Sequence, residues 1–233
     1  MSSKIKTTYC CVNCGASFPK WMGQCSQCGE WNTIKEEVVR KQQSNKLTSK
    51  ENKVKEINEI ESLEKERIIF NDNEFNRVLG GGLVKGSVVL ISGEPGIGKS
   101  TILLQNSINS KEKILYVSGE ESAEQLQLRA KRISQNPKNC FVLTETNLEL
   151  ILKNVENVRP DIIIIDSIQT IQTDLFDNSQ GSTTQIKECA SILIKLAKNI
   201  GIPILTEPGG TGIPFRQINS SSFALSECTW DTT

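Results

Sequence analysis

Residues 93–100 read Gly-Glu-Pro-Gly-Ile-Gly-Lys-Ser, a complete G-x-x-x-x-G-K-S phosphate-binding loop, and the reading of the rest of the chain starts from it. Gly93, Gly96 and Gly98 leave the backbone free to curl, so that successive N–H groups face phosphate oxygens. Lys99 is placed to reach the β- and γ-phosphates, and the Ser100 hydroxyl to ligate Mg²⁺. Just upstream, residues 87–92 (SVVLIS) form an apolar, β-branched run that reads as a buried strand. Just downstream, residues 100–108 (STILLQNSI) space their apolar side chains as a helix does. A strand, loop and helix in that order bring the positive end of a helix dipole to the phosphate.

Beyond this unit the pattern alternates. Residues 113–118 (KILYVS), 140–144 (CFVLT), 161–166 (DIIIID) and 202–205 read as strands, and 121–134, 148–158 and 181–199 as helices. Strands interleaved with helices predict an α/β fold, a mostly parallel sheet covered on both faces. Ligands on such sheets sit beyond the carboxyl ends of the strands. The phosphate loop, Glu120 and Glu121 after the second strand, and Asp166 after its four isoleucines all fall there. Asp166 is expected to hold Mg²⁺ with Ser100. Glu120 is expected to orient the attacking water, with Glu121 as the alternative. Lys99, Glu120 and Asp166 form the expected catalytic set.

Composition narrows the chemistry. Among 233 residues, 27 Lys plus Arg balance 27 Asp plus Glu, so any basic surface for nucleic acid has to be local. Histidine is absent, which excludes imidazole acid–base chemistry and His-containing metal sites and leaves a carboxylate as general base. The start lacks an apolar signal core, and no stretch is long and apolar enough to span a bilayer. The expectation is a cytoplasmic protein with reduced cysteines, in which clustered thiols point to metal.

The cluster is present. Cys11-Val-Asn-Cys14 and Cys25-Ser-Gln-Cys28 are two C-x-x-C pairs, each followed by glycine. Two tight turns offering two thiolates each can close a tetrahedral, purely structural Zn²⁺ site. Cys10 is a spare neighbour, and the pair spacing favours Cys11 over it. Phe18, Trp21 and Trp31 are the expected core of this small module, and metal has to supply much of its folding free energy. The domain reading is a C4 zinc finger over 1–34, a charged linker over 35–67, the nucleotide-binding core over 68–205 and a divergent tail over 206–233. Within the linker, residues 54–63 space apolar side chains every third position, as a weak amphipathic helix or a tether does.

Together these blocks resemble the bacterial DNA repair RadA (Sms) family. Tyr9-Cys-Cys-Val-Asn-Cys-Gly and Pro19-Lys-Trp-Met-Gly-Gln-Cys-Ser-Gln-Cys-Gly-Glu-Trp-Asn are similar to its zinc finger. Glu74-Phe-Asn-Arg-Val-Leu-Gly-Gly-Gly-Leu, residues 93–101, Tyr116-Val-Ser-Gly-Glu-Glu-Ser and Ile165-Asp-Ser-Ile-Gln-Thr are similar to its RecA-type ATPase core. The resemblance implies a RecA-like P-loop ATPase core with ATP, Mg²⁺ and Zn²⁺. It implies nucleotide contacts from Gly93, Glu94, Pro95, Gly96, Ile97, Gly98, Lys99, Ser100 and Thr101. It implies a DNA-dependent ATPase of recombinational repair that processes branched intermediates, with single-stranded DNA and a RecA-type recombinase as partners, and a hexameric ring. The family continues with a Gly-His stretch, a Lys-Asn-Arg-Phe-Gly motif and a protease-like domain, none of which appears here. Residues 206–233 therefore read as out of register, as a truncation or frameshift would leave them, and the sheet as incomplete. This keeps open an ATP- and zinc-binding fragment without motor activity. A small-molecule phosphoryl transferase is the third reading; Arg129 and Arg132 lie on one helix with no lid-like insertion to carry them, and the zinc module is unexplained by it.

Overall fold

The computed structural model describes residues 6–39, 56, 67–134, 138–175 and 179–209. The helix expected over 54–63 lies outside them apart from Glu56, as do residues 210–233 of the tail, including Cys228.

The core is a five-stranded parallel sheet in the order β6-β10-β9-β7-β8, built from β6 (Val88–Leu90), β7 (Ile114–Ser118), β8 (Cys140–Thr144), β9 (Ile162–Asp166) and β10 (Ile204–Thr206). The helices between them are α2 (Lys99–Ile108), α3 (Ala123–Ile133), α4 (Leu148–Val158) and α5 (Thr183–Ile200). The alternation of each central strand sorts its side chains onto two faces. Ile162, Ile164, Tyr116 and Leu205 pack with Leu103, Leu104 and Leu126 of α2 and α3. Ile163, Ile165, Val117 and Ile204 pack with Ile151 of α4 and Leu193 of α5. The four isoleucines of β9 are all essentially inaccessible. At roughly 1.5–3 kcal/mol for each fully buried aliphatic side chain, this strand is the chief apolar anchor of the sheet. It lies between β10 and β7, as a strand buried on both faces must.

Helix starts are fixed by local chemistry. Ser122 and Gln125 form a reciprocal capping box on α3, and Asn147 and Ser182 cap α4 and α5. Upstream, β4 (Arg67–Ile68) pairs with β5 (Leu83–Val84) around the short α1 (Asn73–Val78). Buried Asn76 closes this unit: its amide accepts from Phe70 N–H at 2.9 Å and donates to Phe70 C=O at 2.7 Å. No helix among the described residues is long and apolar enough to cross a membrane.

The N-terminal module is a three-stranded antiparallel ribbon in the order β2-β1-β3, from β1 (Lys6–Cys11), β2 (Ser17–Phe18) and β3 (Ile34–Val39). Its third strand runs past residue 34, the boundary read from composition. Cys11 pairs with Ile34 and Lys6 with Val39, so residues 35–39 belong to the ribbon sheet. The aromatic core expected there is corrected for the two indoles, while Phe18 does pack against the enclosed cluster. Trp21 and Trp31 are 59% and 67% exposed, and the enclosed cluster is Cys11, Cys25 and Ile34. With the thiols filling the interior, the indoles lie outside against Gly23, and Trp21 N–H reaches the Ile34 carbonyl at 3.2 Å. The ribbon rests on α5, where the Thr183 hydroxyl donates to Val12 C=O and the Lys187 ammonium to Cys14 C=O, each at 3.1 Å.

Candidate nucleotide site and zinc centre

The strand register makes the carboxyl ends level: Thr206 lies beside Leu90 and Ile165, and Asp166 beside Ser118. The phosphate loop leaves β6 here. Gly96 and Gly98 have φ of 82° and 102°, left-handed values at which a side chain is strained, and Gly98 then opens α2 without a side-chain cap. The first turn of α2 therefore keeps N–H groups available to an anion. Gly93, Glu94, Pro95, Gly96 and Ile97 lie exposed along the loop, while Gly98 and Ser100 are half-buried, Thr101 is exposed and Lys99 is buried.

Lys99 and the acids converge. The Lys99 ammonium donates to the carbonyls of Gly93 and Glu94, each at 3.2 Å. Sixty-six residues apart in sequence, the Ser100 hydroxyl donates to Asp166 Oδ1 at 3.0 Å. The other Asp166 oxygen accepts from the Tyr116 hydroxyl. Burial, then the Asp166 charge, push the Tyr116 phenol far above its ordinary range, so it stays a neutral donor that fixes the carboxylate. The peptide between Asp166 and Ser167 is cis. Ser167 donates to Glu120 Oε1 at 3.0 Å, and the Gln169 amide lies 3.5 Å from the same oxygen. Gly119 lies so close to Thr170 that an added Cβ would overlap it. Glu120 is exposed at the crevice. Glu121 is instead engaged by Arg129, whose guanidinium also donates to Thr101 Oγ1 at 3.2 Å. The two adjacent acids thus have different tasks open to them, and Arg129 is committed within its own core.

Two participants were not anticipated. Tyr116 carries a sequence signal, since a tyrosine within a fully buried strand needs a partner for its hydroxyl. Glu207 carries none. It stands just past β10, 3% exposed, with a carboxylate oxygen 3.6 Å from the Lys99 ammonium. Burial and neighbouring Asp166 push its carboxyl up to about 7 against the pull of Gly209 N–H and Lys99.

In the ribbon, the sulfurs of Cys11, Cys14, Cys25 and Cys28 all lie within 4.8 Å of one another. The Cys11–Cys28 and Cys14–Cys25 sulfurs are 3.7 and 3.5 Å apart. A zinc tetrahedron with bonds of about 2.3 Å has edges of roughly 3.8 Å, so the four thiols fit the ion. Each turn is closed by backbone bonds, Gly15 N–H to Cys11 C=O at 2.7 Å and Gly29 N–H to Cys25 C=O at 2.8 Å, with both glycines left-handed. Cys10 points the other way along the strand, its sulfur 3.3 Å from the Ser17 hydroxyl. Cys189 lies on the buried face of α5, where burial raises its thiol to about 12.

Comparison with known proteins agrees with both halves. Residues 9–36 match a zinc-ribbon family described as the rubredoxin metal binding domain, and residues 72–141 match the KaiC ATPase family. The chain is 44% identical to the DNA repair protein RadA of Bacillus subtilis over 211 residues, 87% of this chain and 46% of that protein. It is 44% identical to RadA of Pseudomonas aeruginosa over 208 residues, 87% of this chain and 46% of that protein. It is 45% identical to RadA of Aquifex aeolicus over 203 residues, 86% of this chain and 45% of that protein. The chain spans about half the length of these relatives. A four-cysteine ribbon followed by a KaiC- and RecA-like parallel sheet, at this identity, makes the chain a member of the RadA family over the part of those proteins that it spans.

Proposed function

We propose that this chain is the zinc-binding, ATP-hydrolysing part of a DNA repair ATPase that acts on single-stranded and branched DNA during recombination. The observation that carries the reading is the hydrogen bond between Ser100 and Asp166, which joins the phosphate loop to the acid of the central strand with Glu120 on the same crevice rim.

In this reading the loop from Gly93 to Thr101 cradles the triphosphate by its N–H groups, and Lys99 neutralises the β- and γ-phosphates. Ser100 and Asp166 hold Mg²⁺, which draws charge from the phosphate oxygens when bound. Glu120 orients the attacking water and accepts its proton, held in place by Ser167. Ser167 and Gln169 link the water-positioning acid to the 3₁₀ turn Ile168–Thr170, the first part of the segment leading to α5. A nucleotide-dependent shift of Glu120 would be felt there, on the side where DNA-binding loops are expected. The zinc ribbon is a closed four-sulfur structural site with no open coordination position. Its bounds, the linker and the core are proposed as 1–39, 40–66 and 67–209. A RecA-type recombinase as partner and a hexameric ring follow from the family resemblance.

ATP turnover measured with and without single-stranded and branched DNA tests the proposal. Turnover stimulated by DNA and lost in Glu120→Gln supports it; DNA-independent turnover that survives that substitution contradicts it. A second reading, nucleotide and zinc binding without DNA-stimulated turnover, is favoured by Glu207 resting on Lys99.

A further inference from the structure

Glu207 is the buried acid that the proposed chemistry leaves without a task. It lies at the end of β10, the strand between the phosphate-loop strand β6 and the Asp166 strand β9. Its backbone carbonyl accepts from Ile168 N–H at 3.0 Å, and Thr206 is tied to Ile165 C=O at 2.9 Å, so the segment is held against β9. The carboxylate is 3.6 Å from the Lys99 ammonium, with the two side chains 4% and 6% exposed. Lys99 directs two of its three donors at the Gly93 and Glu94 carbonyls, and the Glu207 oxygen stands at ion-pair rather than hydrogen-bond distance.

We infer that Glu207 is the resident counter-ion of Lys99 and competes with the β- and γ-phosphates for it, so that it sets the affinity of the site for nucleotide. The inference rests on the nucleotide-site reading above. Two of the three lysine donors are held by carbonyls and the buried ion pair draws the ammonium toward Glu207, so a phosphate has to win the charge from these partners. Carbonyls are released at little cost, because loop groups can turn to solvent. The carboxylate is different. Once Lys99 turns to the phosphates, Glu207 is left buried beside Asp166 and the incoming negative charge, and keeping that acid ionised without its counter-ion, or neutralising it, costs free energy. That penalty is subtracted from the binding free energy. Removing the charge and keeping the shape removes the penalty.

The test is calorimetric titration of the full, zinc-loaded chain with ATP and Mg²⁺ at fixed ionic strength. Glu207→Gln is expected to bind about tenfold more tightly than the parent chain. In a Lys99→Met background the same exchange is expected to yield a clearly smaller gain, since there is no ammonium to compete for and only charge repulsion is relieved. Glu207→Met fills the same space without charge and serves the same comparison should the amide variant fail to fold. Unchanged or weaker binding in the Glu207 variants overturns the inference. An equal gain with and without Lys99 also overturns it, because that is general charge repulsion and not competition. Uptake by the parent chain with no gain in the variants sinks the pairing alone; no uptake by parent or variants sinks the nucleotide site as well.

Discussion

In the ribbon the enclosed cluster is Cys11, Cys25 and Ile34, and two of those three are metal ligands. In the ATPase core, apolar side chains fill both faces of a five-stranded sheet without any ligand. The ribbon therefore has almost no folding free energy apart from its ion, whereas the core presents an assembled crevice to which nucleotide adds little structure. The difference teaches what to expect of each ligand. Zinc is part of the ribbon's fold, and ATP is a guest of the core.

The largest effect should come from removing zinc, since structural zinc in small modules is worth on the order of 10 kcal/mol or more. Chelation, or Cys25→Ser, should abolish amide protection at Gly15 and Gly29 in hydrogen exchange while β7 and β9 stay protected. If the core strands lost protection in parallel, the two regions would not be separable. Next, Lys99→Ala should lower ATP turnover at least about a thousandfold, the scale of losing a charge that stabilises a transferring phosphoryl group, with one zinc per chain still bound by metal analysis. Glu120→Gln should cost about a hundredfold in turnover with nucleotide affinity retained, as a general base contributes roughly 10²–10⁴; Glu121→Gln should cost less, because Arg129 already holds it.

Two smaller perturbations sharpen the contrast. Asn76→Ala strips both backbone partners from Phe70 in a buried position, and should destabilise the core by about 3 kcal/mol in denaturant unfolding without altering zinc content. Lys187→Met should weaken the seating of the ribbon on α5 by no more than about 1 kcal/mol, read as faster exchange at Gly15 with zinc retained. A large loss of core stability in that variant would mean that the ribbon supports the ATPase more than its contacts indicate.

Local order was readable where local physics decides it. The strand at 140–144 and the helix at 148–158 match the structure residue for residue, and the other core elements agree within about two residues. There, period and capping are properties of adjacent residues. The phosphate loop and the cysteine pairs were legible for the same reason, as each is a single turn with its ligands in it. The third ribbon strand was not. Lys35, Glu36 and Glu37 read as linker charges, and only pairing with β1 makes them a strand. The exposure of Trp21 and Trp31 was hidden because the sulfur cluster, and not aromatic packing, fills the ribbon. Glu207 was invisible, since its position beside Lys99 exists only once β10 lies between β6 and β9. The docking of Val12 and Cys14 onto Thr183 and Lys187 likewise spans more than 170 residues of sequence, beyond any local signal.

The most direct measurement is titration of Mg²⁺ and ATP into the zinc-loaded chain by calorimetry, beside Lys99→Ala. Saturable uptake of one nucleotide per chain, clearly weakened in the variant while its zinc and its core protection persist, is what a preformed cradle around Lys99 predicts. Absence of uptake by the well-folded parent, or uptake undiminished by the substitution, would contradict it.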